Sequence, residues 1–291
     1  MAATAVAKER LVLESPAKIN LNLEVLGPRA DGFHAIRTVL THVSLHDTVT
    51  LTPGGRKFVF HGGQGTPKDE GNLAYQAVKS ITRKTGVRHG LDLRVVKRIP
   101  IAAGLGGGSS NAATVLRGLN ELWGLGLSQS DLETMGLELG SDVPFFLRGG
   151  TCIATGRGEA LEPIQHSVPF ELVLVTPALK VTSEWAYGHL PAELTRSGTS
   201  TNMVKVALAS GRVELLAAHL GNDLEQAVLP KHAVVREAKR KLKSAGAVGV
   251  LMSGSGPTVF GLASNAEHAD QMAEKMSRSN KWKVVRANTL V

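Results

Sequence analysis

One segment constrains this chain more than any other: Pro100-Ile101-Ala102-Ala103-Gly104-Leu105-Gly106-Gly107-Gly108-Ser109-Ser110-Asn111-Ala112-Ala113. It follows a strand-like run and opens a helix-like one. Its glycines let the backbone pass close to a ligand, and the helix start aims free N–H groups and a positive dipole end at the same place. Ser109 and Ser110 can cap the helix, contact phosphate oxygens or ligate Mg²⁺. The segment therefore reads as a cradle for a triphosphate, against the plain alternative of a flexible glycine turn. It is not a Walker A loop, because no lysine follows the glycines. Gly104 to Gly107 satisfies G-x-G-G, but a dinucleotide fingerprint also needs an acidic residue at a strand end about 20 residues later. Glu121 comes too early for that role, and Asp131 falls in a predicted helix.

Around this loop the chain mixes strand and helix signals without a strict βαβ rhythm, which predicts an α+β fold. Strands are expected at Leu11 to Leu13, Ala17 to Val25, Thr48 to Leu51, Phe58 to Phe60 and Leu91 to Val96. A helix with Asn72 as N-cap should end at Gly86. Others should run from about Ser109 to Trp123 and from Ser128 or Ser130 to Gly140. After Gly149-Gly150 the pattern restarts. Its signals are a strand at Leu172 to Val175, helices near Thr201 to Ala209, Val213 to Leu220 and Ala233 to Ser244, a strand–loop–strand unit over Val248 to Leu262 and a last helix over Ala266 to Ser277. Two domains are expected, 1–162 and 163–291, with a soft boundary.

Composition narrows the function classes. The 43% hydrophobic and 20% charged residues are those of a globular protein. No apolar run approaches the roughly 20 residues of a membrane-spanning helix. Met1 to Glu9 lacks a secretory core, so a cytoplasmic location with no membrane partner is expected. The one cysteine, Cys152, excludes an internal disulfide framework or a multi-cysteine metal site, and its strand-like setting reads as a small apolar residue. The net charge of +8 points to anionic ligands. Its densest cluster, Arg236 to Lys243, lies on an amphipathic helix and reads as a solvated face. Aromatics make up only 4% and do not interleave with basic residues, which argues against a nucleic-acid platform.

Three segments together carry a resemblance. Pro100 to Ala113, Ser15-Pro16-Ala17-Lys18-Ile19-Asn20-Leu21 near the start and Leu251-Met252-Ser253-Gly254-Ser255-Gly256-Pro257-Thr258-Val259-Phe260 near the end stand in the order found in the GHMP kinases, and they span almost the whole chain. Further segments are Arg29-Ala30-Asp31-Gly32-Phe33-His34, Leu139-Gly140-Ser141-Asp142-Val143-Pro144-Phe145-Phe146 and Asn222-Asp223-Leu224-Glu225. They resemble the branch of that family whose substrate is a cytidine diphosphate-linked methylerythritol. The resemblance implies a two-domain fold, with an N-terminal domain like the second domain of ribosomal protein S5 and a ferredoxin-like C-terminal domain. It implies ATP-dependent phosphorylation of the substrate 2-hydroxyl in the non-mevalonate isoprenoid route, with Mg²⁺ as the phosphate-bound partner of ATP and no acidic ligand for it besides Asp142 marked in the sequence. A monomer or homodimer with no nucleic-acid partner is expected.

By the same resemblance Pro100, Ala103, Gly104, Gly106, Gly107, Gly108, Ser109, Ser110 and Asn111 bind ATP. Lys18 and Asp142 are catalytic. Asp142 is the expected base for the acceptor hydroxyl; taken alone, its place after Gly140 suits a turn or N-cap aspartate equally well. Lys18 lies in an apolar run, where a buried ammonium needs a partner, and Asp142 is the expected one. The bare pattern would instead leave its head in solvent. The resemblance puts His34 on the edge of cytosine, Phe33 against its face, and Asn20 on the erythritol hydroxyls. Phe33 stands where tyrosine is usual, so any hydrogen bond from that hydroxyl is missing. Tyr187 is the expected second stacking residue, with Trp185 as competitor. Ser253, Gly254, Ser255 and Gly256 form a supporting loop, with a purely structural turn as the rival reading.

Overall fold

The computed structural model describes residues 10–55, 57–191, 193 and 200–291. The first half contains β1 (Leu11–Pro28), β2 (His34–Pro53), β3 (Phe58–His61), α1 (Leu73–Thr85), β4 (Leu91–Val96), α2 (Gly107–Leu122), α3 (Gln129–Leu139), α4 (Val143–Arg148) and β5 (Thr151–Gly156). The second contains β6 (Ala160–Ile164), β7 (Glu171–Pro177), α5 (Ser183–Gly188), α6 (Thr201–Ser210), α7 (Val213–Ala218), β8 (Gly221–Asn222), α8 (Glu225–Lys231), α9 (Ala233–Ser244), β9 (Gly249–Met252), β10 (Val259–Leu262), α10 (Ala266–Ser277) and β11 (Trp282–Asn288).

The chain divides into two compact units, each built from separated segments. Of the described residues, the first comprises 10–17, His46–Ile101 and Gly106–Gly149; the second Lys18–Leu45, Ala102–Leu105 and Gly150–Val291. In the first unit β4 pairs with the end of β2 on one side and with β3 on the other. Leu91, Leu93 and Val95 are buried on one face of β4 while Arg94 is exposed on the other, as their alternation predicts. α2 lies against this sheet: a Cβ added at Gly118 would meet Leu13 and Leu51 within 3 Å. α1 and α4 pack on α2 in turn. In the second unit β5 bridges the start of β2 and β6, and β8 runs parallel to β1. A separate antiparallel sheet of order β11-β7-β10-β9 packs its Val173, Val175 and Val259 against Ala238 and Leu242 of α9 and Met272 of α10.

The helix ends follow their sequence signals. Asn72 accepts a hydrogen bond from Ala74 N–H, and Gly86 closes α1 in the left-handed region; Ser128 and Asp131 form a reciprocal capping box on α3. The strand boundaries depart from expectation. β1 continues through Glu14-Ser15-Pro16, and β2 begins fourteen residues before Thr48. Both extensions contain buried polar residues that break an apolar pattern. Ser15 is satisfied by Ser110, Thr38 by Asn20 and Asn22, and Thr41 by Thr151. All four partners are at least sixteen residues away, so local pattern does not register them.

Candidate active site

In the second unit three sequence segments converge. The backbone of Gly104 is in the left-handed region at φ 74°, and a Cβ there would sit 2.1 Å from the Ser253 carbonyl oxygen. Ser253 Oγ donates to Gly104 O at 2.9 Å, and Thr258 N–H donates to Ala103 O at 3.4 Å. Only glycine fits there, since both the torsion and the backbone behind it exclude a side chain. Lys18 N–H donates to Leu105 O at 3.0 Å, tying the start of the chain to the same loop. The Lys18 side chain is 5% exposed and its ammonium donates to Asn20 Oδ1 at 2.5 Å. The solvent-headed strand lysine allowed by the bare pattern is therefore corrected: β1 is buried on both faces here, from Ala17 to Leu23, so neither face offers this ammonium to solvent. Gly254 lies beside it, where an added Cβ would come 3.1 Å from Lys18 Nζ and 3.3 Å from Asn20 Oδ1. Both ends of the Asn20 amide are engaged, its Nδ2 donating to Thr38 Oγ1 at 2.8 Å.

The Ser253–Gly256 turn is held from behind. Gly256 N–H returns to Ser253 O, and Ser255 Oγ lies 3.4 Å from Ser183 Oγ. Asn222, 3% exposed, donates through Nδ2 to both Met252 O and Gly254 O at 2.8 Å while its Oδ1 accepts from Leu224 N–H. Nothing in the sequence marks Asn222 as a brace for a loop thirty residues later. Asn222→Ala leaves two buried carbonyls and one N–H without partners and should destabilise the protein by roughly 2–4 kcal/mol, measured as a lower denaturant midpoint at unchanged m-value.

In the first unit α2 begins at Gly107, two residues before the expected start. Gly106 precedes it at φ 67°, and no side chain caps the helix. The N–H groups of the first turn are therefore free of side-chain caps, the arrangement that favours an anion. Ser109 is half-exposed there. Ser110 is fully buried, its Oγ 2.7 Å from Ser15 Oγ, and Asn111 Nδ2 donates to Ser15 Oγ at 2.8 Å. Both residues are buried and tie the opening of α2 to Ser15 of β1. Asp142 is half-buried at the start of α4, and its side chain makes no capping hydrogen bond. Asp142 thus occupies the N-cap position that one reading allowed, without its carboxylate capping the helix. Pro144 in the first turn needs no N–H there and fixes the helix start without help from Asp142. The turn before α4 adjoins the loop end of α2: a Cβ added at Gly140 would lie 3.9 Å from Ser109 Oγ.

An aromatic group occupies the second unit. His34 and Tyr187 stack with ring centroids 5.1 Å apart and planes 21° apart. Trp185 stacks instead on His189 at 4.1 Å and adjoins His232. Of the two stacking candidates, Tyr187 is the one brought to His34. Phe33 is 48% exposed and carries the Arg157 guanidinium 4.8 Å from its ring centroid, a cation–π contact absent from the sequence reading. The turn presenting Phe33 is fixed by Arg29 and Asp31, paired at 2.8 Å, with Phe33 N–H donating to Asp31 Oδ1. Hydrogen bonding from the Arg29 guanidinium holds the Asp31 carboxyl below the usual carboxylate range, so the ion pair of this turn persists further into acid than an ordinary aspartate would allow.

Among the described residues there is no cluster of three or more His, Cys, Asp or Glu able to hold a metal ion, and no helix is long and apolar enough to cross a membrane.

Residues 72–150 match the GHMP kinases N terminal domain and residues 204–281 the GHMP kinases C terminal region. The 4-diphosphocytidyl-2-C-methyl-D-erythritol kinase of Gloeobacter violaceus is 46% identical over 263 residues, covering 89% of this chain and 87% of that protein. The enzyme of the same name from Geobacter metallireducens is 42% identical over 283 residues, covering 97% and 99%. A crystal structure of 4-(cytidine 5'-diphospho)-2C-methyl-D-erythritol kinase superposes with a TM-score of 0.85 at 33% identity, covering 96% of this chain and 99% of the other. Homoserine kinase from Cytophaga hutchinsonii shares the fold, with a TM-score of 0.75 at 19% identity, covering 100% of this chain and 97% of the other.

Proposed function

We infer the reaction from the premise that this chain belongs to the GHMP kinases and, among them, to the 4-diphosphocytidyl-2-C-methyl-D-erythritol kinases. The protein transfers the γ-phosphoryl group of ATP to the 2-hydroxyl of 4-diphosphocytidyl-2-C-methyl-D-erythritol, giving the 2-phosphate and ADP. The observation that carries the cytidyl assignment is the stacked His34–Tyr187 pair, next in sequence to the exposed Phe33. A pyrimidine has a π-face for such rings and an edge of donors and acceptors for an imidazole. The homoserine and mevalonate kinases that share the fold at 19% and 15% identity support the architecture alone.

In this reading the uncapped first turn of α2 and the glycine backbone before it receive the ATP phosphates. Asp142 accepts the proton of the acceptor hydroxyl as its oxygen bonds to the γ-phosphorus and the bond to the ADP oxygen breaks. Its freedom from capping leaves both oxygens for that task. Lys18 is held inward by Asn20 and supplies positive charge where charge develops on the transferred group. Mg²⁺ fits this site as a passenger on the phosphates. Magnesium is commonly held by few protein groups plus substrate oxygens, and the half-exposed Ser109 hydroxyl is the donor here suited to it. When bound, the ion neutralises phosphate charge.

Tyr187→Ala is expected to raise KM for the cytidyl substrate about 10- to 100-fold, since stacking contributes about 1–3 kcal/mol per base, while KM for ATP stays unchanged. Trp185→Phe should leave both constants at their wild-type values. Steady-state kinetics with each substrate varied in turn checks this. Equal losses in the two KM values, or a larger effect from Trp185, would rule out Tyr187 as the base-stacking ring.

A further inference from the structure

One buried carboxylate lies outside the glycine loop, the other motif segments and the aromatic group. Asp47 on β2 is 0% exposed, in the first unit, and four donors surround it. Its Oδ1 accepts from Arg98 N–H at 2.7 Å and Ile99 N–H at 2.9 Å. Its Oδ2 accepts from the Lys97 ammonium and, at 3.0 Å, from Asn111 Nδ2. A buried charge persists only when partners replace its lost hydration. Here those partners come from the two chain stretches that flank the glycine loop. Lys97 to Ile99 lead into Pro100, and Asn111 lies in the opening turns of α2.

The contacts continue on both sides. Lys97 Nζ also donates to Asn111 Oδ1 at 3.1 Å, and Asn111 is bound through Ser15 to Ser110. A Cβ added at Gly107 would come 3.1 Å from Lys97 Nζ and 2.9 Å from Ile99 Cγ2. Gly107 thus lets a cation lie against the first residue of α2. An ammonium beside a helix N-terminus is repelled by the dipole, so it stays there because Asp47 holds it. With Asp47 bound, the loop has a fixed span between its entry and its exit, and positive charge from two sources borders the same place.

We propose that Asp47 is the positioning residue of the phosphate cradle: it sets the distance between the entry and exit of the glycine loop and holds Lys97 at the start of α2. It touches no substrate and acts through Lys97, Asn111 and the Arg98 and Ile99 amides. The proposal rests on the reading of the glycine loop as the ATP site. Asp47→Asn keeps the shape and the acceptor for Arg98 and Ile99 but turns an NH₂ toward two donors. The test is calorimetric titration of the full chain with Mg²⁺ and a non-hydrolysable ATP analogue, and separately with CDP. Asp47→Asn should weaken binding of the analogue by at least about tenfold and leave CDP binding at its wild-type value. A role confined to general stability would move both ligands or neither, and either result overturns the proposal. Should Asp47→Asn not fold, Ser15→Ala decides. It loosens Asn111 from the far side without touching Asp47 and should weaken the analogue alone by about threefold; unchanged affinity overturns the proposal. A wild-type protein that binds CDP but not the analogue would instead remove the ATP reading itself, and the proposal with it.

Discussion

Asp142→Asn should lower kcat by about 10²- to 10⁴-fold, the contribution usual for a positioned general base, with KM for ATP and thermal stability at their wild-type values. Asn is nearly isosteric and cannot accept the hydroxyl proton at neutral pH. Stability should hold because the carboxylate makes no capping hydrogen bond and Pro144 sets the start of α4 on its own. A structural aspartate would show the reverse, a lower midpoint with kcat preserved. Rapid-quench measurement of the single-turnover rate separates the chemical step from product release, and the loss should lie in the chemical step. An unchanged single-turnover rate would move the base elsewhere.

The second large effect is expected at Gly104. Gly104→Ala forces a side chain into the left-handed region, at about 1–2 kcal/mol. Its Cβ would also lie 2.1 Å from a backbone oxygen of Ser253, which no rotamer can relieve. Overpacking of this kind adds about 1–3 kcal/mol. Together these correspond to a fall in thermal midpoint of roughly 5–15 °C for a chain of this size. The backbone must move at the loop, and a shift of about 1 Å at a reacting centre can lower the rate about 100-fold. Both effects are expected: a lower midpoint by calorimetry, and kcat/KM for ATP lower by about that factor at a temperature where the variant is folded. A variant with wild-type kcat/KM would show that the approach of Gly104 to Ser253 has no part in the site.

These sites differ in how far the sequence disclosed them. The glycine loop, the capped ends of α1 and α3 and the alternation in β4 are local patterns, each readable within a few residues. Asp142 is singled out by resemblance alone, because a turn aspartate and a base look alike in sequence. His34 and Tyr187 are 153 positions apart, and only the fold makes them a stacked pair. The buried roles of Asp47 and Ser15 are not legible for a different reason. Each is a polar residue inside a strand, where pattern argues for a surface position or a break. Their satisfaction comes from Lys97, Arg98, Ile99 and Asn111, or from Ser110 and Asn111, brought near by folding. The same effect shortened the expected β1 and β2. The short elements α4, α5 and α8 have no counterpart in the sequence pattern, whereas the equally short α7 lies within the helix expected over Val213 to Leu220.

The central claim is that this chain phosphorylates a cytidyl-linked alcohol, and ³¹P NMR of the reaction mixture tests it most directly. The purified protein with Mg²⁺ and ATP would be given 4-diphosphocytidyl-2-C-methyl-D-erythritol, mevalonate or homoserine in parallel. The expected result is one new phosphomonoester resonance with the cytidyl compound, growing in step with ADP, the diphosphate signals intact, and no product from the other two. Product from mevalonate or homoserine, with none from the cytidyl compound, would contradict the account and leave Phe33, His34 and Tyr187 without their proposed base.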